Sequence, residues 1–70
     1  MNSEYLQKFA KNLKRLRKLK NLTQDDLGAI EGISRSTISM VETGKTDITL
    51  SKIKLIAEAM GIEPKDLLDF

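Results

Sequence analysis

Residues 22–44, Leu-Thr-Gln-Asp-Asp-Leu-Gly-Ala-Ile-Glu-Gly-Ile-Ser-Arg-Ser-Thr-Ile-Ser-Met-Val-Glu-Thr-Gly, constrain the fold of this chain more than any other stretch. Thr23 and Ser34 each precede a helix-compatible run. Their hydroxyl oxygens are suited to accept a hydrogen bond from an unpaired first-turn amide. Asp26 stands three residues after Thr23, the spacing of a capping box in which cap and carboxylate each satisfy the other's amide. Gly32 and Ile33 come immediately before Ser34, and Gly44 falls where a helix would end in a left-handed residue. The segment therefore reads as two short helices, over about 24–31 and 35–43, joined by a tight glycine-containing turn. Leu27 anchors the first, and Ile38 with Val41 the second. Gly28 is placed where a small residue would let a neighbouring helix approach, at a cost of about 1 kcal/mol in helix propensity.

The flanks follow the same periodicity. Leu6, Phe9, Leu13 and Leu16 recur at spacings of 3 or 4 and predict an amphipathic helix over about Ser3–Lys20. Asn21 follows, a residue that tolerates the left-handed position. A polar loop from Gly44 leads to Thr49, which caps a fourth helix with Leu50, Ile53, Ala57 and Met60 as its inward stripe and Gly61 as its stop. Pro64 suits the first position of a short fifth helix that would bury Leu67 and Leu68. Val and aromatics are sparse, while Leu, Ile and Lys are plentiful. The expectation is an all-α, five-helix fold occupying residues 1–70 as one domain, with no internal repeat or linker.

Seventy residues lie near the lower limit for a single core, with about 60% of the chain's surface buried at this size. There is no Cys, so no disulfide or thiolate metal site supports it, and helix packing must suffice. The net charge of +2 is unevenly spread. Residues 1–20 carry seven Lys or Arg against Glu4 alone, whereas the remainder is slightly acidic. A basic first helix fits a face toward phosphates, and equally a solvated face that keeps the chain soluble. No apolar run reaches the ~20 residues of a membrane span and no signal-peptide pattern opens the chain, which points to a cytoplasmic protein without membrane contact. Catalysis is not expected. His and Cys are absent, Tyr5 is the lone Tyr, and Asp25 with Asp26 is explained by capping and the helix dipole.

A helix, a glycine turn and a second helix opened by Ser34-Arg35-Ser36 is the plan of a DNA-reading helix-turn-helix. The chain resembles the Cro/repressor-like (Xre-type) family of bacterial and phage transcription regulators. The pattern matches at Leu13, Leu16, Arg17, Leu22, Thr23, Gln24, Leu27, Gly32, Ile33, Ser34, Ile38, Ser39, Glu42, Gly44 and Lys45. It continues through Leu50, Ile53, Ala57, Met60, Gly61, Ile62 and Leu67-Leu68, so the resemblance covers about residues 9–70. It implies a lambda-repressor-like fold, double-stranded DNA as partner, no cofactor and no small-molecule ligand. No attached sensor domain is expected. On the recognition helix, Arg35, Ser36, Ser39 and Met40 are the candidate base contacts. Arg35 suits a bidentate contact to guanine, or an ion pair with Glu31 or a phosphate. Ser36 suits either a base or a phosphate. Met40 suits a thymine methyl, or a gap in the core.

Gln24, Thr37, Lys45, Thr46, Lys14 and Lys18 are the candidate contacts to the DNA backbone, while Ser34 is assigned to capping. The resemblance also implies that Arg17 and Glu42 pair across the interior and orient the recognition helix. One departure stands out at Ile30-Glu31, where the family usually has a polar residue and then an apolar one. Either the end of the preceding helix is rotated, or Ile30 is exposed and Glu31 pairs with a cation such as Arg35. A single recognition helix with one charged base-reading residue predicts a homodimer, with recognition helices about 34–36 Å apart on a near-palindromic operator. Ile62, Leu68 and Phe70 are the candidate interface, or else they close the end of the core. The expected function is a sequence-specific repressor or controller. Phage switches, restriction–modification controllers and antitoxin-type autoregulators are all short members of the family, and the Asp47-Ile48-Thr49-Leu50 run resembles the controllers. The alternative is a protein-interaction module of the same fold, such as an antitoxin-like or anti-regulator partner domain.

Overall fold

Five α-helices in a computed structural model, which describes residues 3–70, account for most of the chain. They are α1 (Ser3–Leu19), α2 (Gln24–Gly28), α3 (Arg35–Glu42), α4 (Leu50–Met60) and α5 (Pro64–Leu67). Helix α1 packs on α3 and α5, α2 packs on α3, and α4 packs on α5. Leu13, Leu27, Ile38, Val41, Ile56 and Leu67 are the large side chains enclosed at the centre, drawn from all five helices.

Local chemistry sets where the helices begin. The hydroxyls of Thr23, Ser34 and Thr49 accept hydrogen bonds from the amides of Asp26, Thr37 and Lys52 at 3.0, 3.1 and 3.2 Å. Pro64 opens α5, where the Glu63 amide donates to Asp66 Oδ2 at 3.0 Å. Each cap is also bracketed by an apolar pair five residues apart: Leu22 with Leu27, Ile33 with Ile38, Ile48 with Ile53, and Ile62 with Leu67. All eight belong to the core cluster or pack against it. This is the hydrophobic-staple pattern, in which the residue before the cap and the fourth helical residue fix the angle at which the chain enters the helix. Its fourfold use lets helices as short as α2 and α5 hold a direction that propensity alone would not maintain.

Helix ends are set as regularly. After α1, Asn21 takes the left-handed conformation (φ 59°), with its amide donating to Lys18 O and that of Leu22 to Arg17 O. After α3, Gly44 (φ 72°) repeats the arrangement, with its amide and that of Lys45 donating to Val41 O and Met40 O. These paired bonds satisfy carbonyls that a helix end otherwise leaves bare.

Three sequence expectations need correction. Helix α2 ends at Gly28, not near Glu31, because a Cβ on Gly28 would lie 2.5 Å from the Arg35 backbone nitrogen. The start of α3 therefore abuts the end of α2, and the chain has to turn there. Ile30 stays half-buried against the core while Glu31 is exposed, consistent with a redirected end of α2. Leu50 is 80% exposed and does not join the inward stripe of α4. Ile48, just before the helix, packs against the core instead, and Ile56 is a buried residue of α4 that the stripe left out. Leu68 is 42% exposed, so α5 buries Leu67 alone of the pair.

The capping box of α2 predicts an acid-sensitive contribution to stability. The Thr23 amide donates to Asp26 Oδ2 at 2.7 Å, and this bond, with a further one to the Thr23 side chain, holds the Asp26 carboxyl below its ordinary value. A depressed folded-state value gives stability that is present above the ordinary carboxylate range and lost as pH falls through the folded value. Urea midpoints measured from neutral to strongly acidic pH should therefore fall less for Asp26→Asn than for the wild type. Parallel curves would show that the carboxylate adds nothing.

Candidate nucleic-acid interface

Helix α3 turns one largely polar flank outward and its apolar flank inward. Arg35, Ser36 and Met40 are exposed, Thr37 and Ser39 are half-buried, and Ile38 and Val41 face the core. Met40, at 49% exposure, is therefore a surface residue and not core filler. The Ser34 hydroxyl caps the helix and lies 3.0 Å from Thr37 Oγ1, so the Thr37 hydroxyl is tied to the cap.

The orientation of α3 is fixed by a buried charge. Arg17 Nε donates to Glu42 Oε2 at 2.6 Å and Arg17 Nη2 to Oε1 at 3.0 Å, with the two side chains 8% and 2% exposed. Arg17 Nη1 also donates to the Leu22 carbonyl at 2.8 Å, and Gln24 Nε2 donates to Glu42 Oε1 at 3.1 Å. One carboxylate thus gathers donors from α1 and α2 onto α3. The hydrogen bond to Glu42 raises the value of Arg17 above its ordinary range, so the guanidinium stays charged. At the same C-terminal end of α3, Gln7 Nε2 donates to the Thr43 carbonyl at 3.1 Å.

The arrangement places the candidate contacts as follows. Gln24, half-buried at the first position of α2, turns its side-chain nitrogen inward to Glu42. Lys45 is exposed and Thr46 half-buried, directly after α3. Lys14 and Lys18 are exposed on α1. Lys14 lies three residues before Arg17 and so shares the flank facing α3, whereas Lys18, one residue after it, is turned about 100° away. Arg35 pairs with Asp25, not Glu31, at 2.9 Å between Nε and Oδ1. The Phe70 ring meets Tyr5 and Phe9 of α1 edge-on with centroids 5.1 and 6.5 Å apart, and Leu68 lines a groove with the same two rings. Ile62 is half-buried against the core ahead of α5.

Sequence reasoning missed four of these contacts. Asp25, Gln7 and the inward bond of Gln24 are three. The fourth is Asn12, a buried residue whose Nδ2 donates to the carbonyls of Asp66 and Leu67 at 2.9 Å while its Oδ1 accepts from Arg15 Nη2 at 2.7 Å. Asn12 secures α5 to α1. The sequence carries a signal for Asp25, since it precedes Gly28 by three residues and shares its helix flank.

A short helix with a largely polar flank turned outward, locked at a fixed angle to the helix before it, defines a helix-turn-helix DNA-binding domain. The chain matches the helix-turn-helix family model over residues 13–67. It is 36% identical over 63 residues to the control protein C.BamHI of Bacillus amyloliquefaciens, covering 89% of this chain and 78% of that protein. It is 44% identical over 55 residues to an uncharacterised HTH-type transcriptional regulator of Methanocaldococcus jannaschii, covering 79% of this chain and 83% of that one. The fold superposes with a TM-score of 0.88 and 36% identity on the crystal structure of the restriction–modification controller protein C.AhdI from Aeromonas hydrophila, covering 94% and 96% of the two chains. The chain belongs to the Xre/Cro-like helix-turn-helix family and is a DNA-binding transcriptional regulator. The family is one of regulators and not of enzymes. Among the described residues, no helix is long and apolar enough to cross a membrane.

The Arg17–Glu42 pair predicts an asymmetry in stability. Breaking a buried pair leaves a charge uncompensated at about 3–5 kcal/mol, whereas replacing both partners with apolar residues costs far less. In chemical denaturation, Arg17→Met should lose about 3–5 kcal/mol, and Arg17→Met combined with Glu42→Leu should recover much of it. Simple additivity of the two substitutions would contradict the coupling.

Proposed function

We propose that this regulator works in the cytoplasm as a homodimer on a near-palindromic operator, acting as a small repressor or controller of the kind its relatives are named for. The observation that carries the reading is the outward flank of α3, where Arg35, Ser36 and Met40 are exposed and Ser39 is half-buried above a core that fixes the helix through Glu42. An α-helix of this size fits the major groove. Arg35 then reads a guanine, Met40 packs on a thymine methyl, and Ser36 and Ser39 donate to base edges or nearby phosphates. Lys45, Thr46, Thr37, Lys14 and the Gln24 backbone amide hold the phosphates, while Lys18, turned to another flank of α1, adds attraction at longer range. Resemblance to C.BamHI and C.AhdI supports the controller reading.

Two arguments support the dimer. One α3 carries a single base-reading cation, too little for a selective site on its own. The domain measures 29 × 22 × 20 Å, so two in contact are commensurate with recognition helices about 34–36 Å apart. Leu68 and Phe70, 42% and 45% exposed, supply apolar surface for that contact. Leu68 lines a groove with Tyr5, Leu6, Phe9, Asp47, Ile48 and Ile53, and the Phe70 ring packs on Tyr5 and Phe9.

Two substitutions separate base reading from phosphate anchoring. Arg35→Ala should relax preference at one position of each half-site. Lys45→Ala should weaken binding to all sequences alike and flatten the slope of log K against log salt by about one unit. Undiminished preference in Arg35→Ala, or a base-specific effect of Lys45→Ala, would overturn these roles. Competition binding to single-substituted duplexes over a range of salt measures both.

A further inference from the structure

We propose that Asp25 is a specificity-determining positioning residue, which holds Arg35 by its Nε so that the two Nη atoms are presented together to one guanine. The inference rests on the reading that Arg35 contacts a base. Arg35 Nε lies 2.9 Å from Asp25 Oδ1. With the carboxylate paired against Nε, the guanidinium donors left clear of it are on the two Nη atoms, the pair that matches guanine O6 and N7 end-on.

The backbone makes this contact reproducible. Asp25 and Gly28 occupy the same flank of α2 at a three-residue spacing. Gly28 lies so close to α3 that a Cβ would meet the nitrogen and Cα of Arg35 at 2.5 and 2.7 Å. The carboxylate therefore stands one helical turn from the point where the two backbones touch. The distance from the Asp25 backbone to the Arg35 backbone is set by the turn, not by side-chain flexibility.

Stability does not explain the pair. Its side chains are 63% and 76% exposed, and ion pairs in water contribute little. A carboxylate beside the DNA face also repels phosphate, so by charge alone it weakens binding to every sequence. Presentation of Arg35 accounts for both facts. An ordered guanidinium loses less conformational freedom on meeting guanine, and a partly neutralised one is less attracted to phosphates away from the site. Both effects widen the gap between the correct base and all others.

The test uses the full chain, its selected operator, the operator substituted at the Arg35 position, and an unrelated duplex, all at one salt concentration. Asp25→Asn should bind the unrelated duplex more tightly than wild type, yet lose about fivefold or more of its discrimination at that position. Asp25→Glu should restore part of the discrimination. With Arg35→Ala already present, Asp25→Asn should change discrimination no further. If Arg35→Ala abolishes the preference while Asp25→Asn leaves it intact, the positioning role is wrong and the reading of Arg35 stands. If Arg35→Ala keeps the preference, the reading of Arg35 falls and this inference falls with it. If Asp25→Asn lowers discrimination equally with and without Arg35, Asp25 contacts the base itself and the positioning role is overturned.

Discussion

The carboxylate of Glu42 is the point on which the rest of the molecule depends. It is buried at the end of α3 and accepts from two nitrogens of Arg17 and one of Gln24. A buried carboxylate without such partners would be strongly disfavoured. Only one relative placement of α1, α2 and α3 supplies all three donors, so satisfying the charge also selects the angle of the recognition helix. The apolar core would tolerate small rotations of α3 that keep Ile38 and Val41 covered. The ion pair does not, which is why a chain this small can hold its DNA-facing helix in one orientation.

The remaining restraints on α3 act at its two ends. Gly28 allows α2 to meet α3 at backbone contact, and Gln7 reaches from α1 to the Thr43 carbonyl. Between these supports, α3 spends its inward face on Ile38 and Val41 and keeps Arg35, Ser36 and Met40 exposed. A DNA contact made by residues so placed loses little freedom on binding, since the scaffold is already ordered. The same division separates stability from specificity. Arg17, Asn12 and the core residues hold the fold, and the surface of α3 with its flanking cations is the part proposed to meet the duplex.

Most of the architecture was legible because the signals are local. Thr23, Ser34, Thr49 and Pro64 mark helix starts through chemistry confined to one turn. The apolar pairs Leu22/Leu27, Ile33/Ile38, Ile48/Ile53 and Ile62/Leu67 repeat a second local signal that reinforces them. What escaped the sequence depends on distant parts of the chain. Helix α2 stops at Gly28 because α3 arrives there, although Ala29-Ile30-Glu31 has no intrinsic aversion to helix. Leu50 matches the periodicity of α4, but periodicity gives an angle around the axis and not where the core ends. Asn12 finds its partners 54 and 55 residues away. In the candidate interface, the exposure of Arg35 and Ser36 was legible from their place after the Ser34 cap, whereas the pairing of Arg35 with Asp25 required the geometry of the turn.

The central claim is that this scaffold presents two copies of α3 to successive major grooves as a sequence-reading pair. Selection of bound duplexes from a random DNA pool, at near-physiological salt, tests it most directly. The account predicts enrichment of a near-palindrome whose half-site centres lie about one helical turn apart, with a guanine in each half-site whose enrichment is lost in Arg35→Ala. Recovery of no preferred sequence, or of a single unpaired half-site, would contradict it.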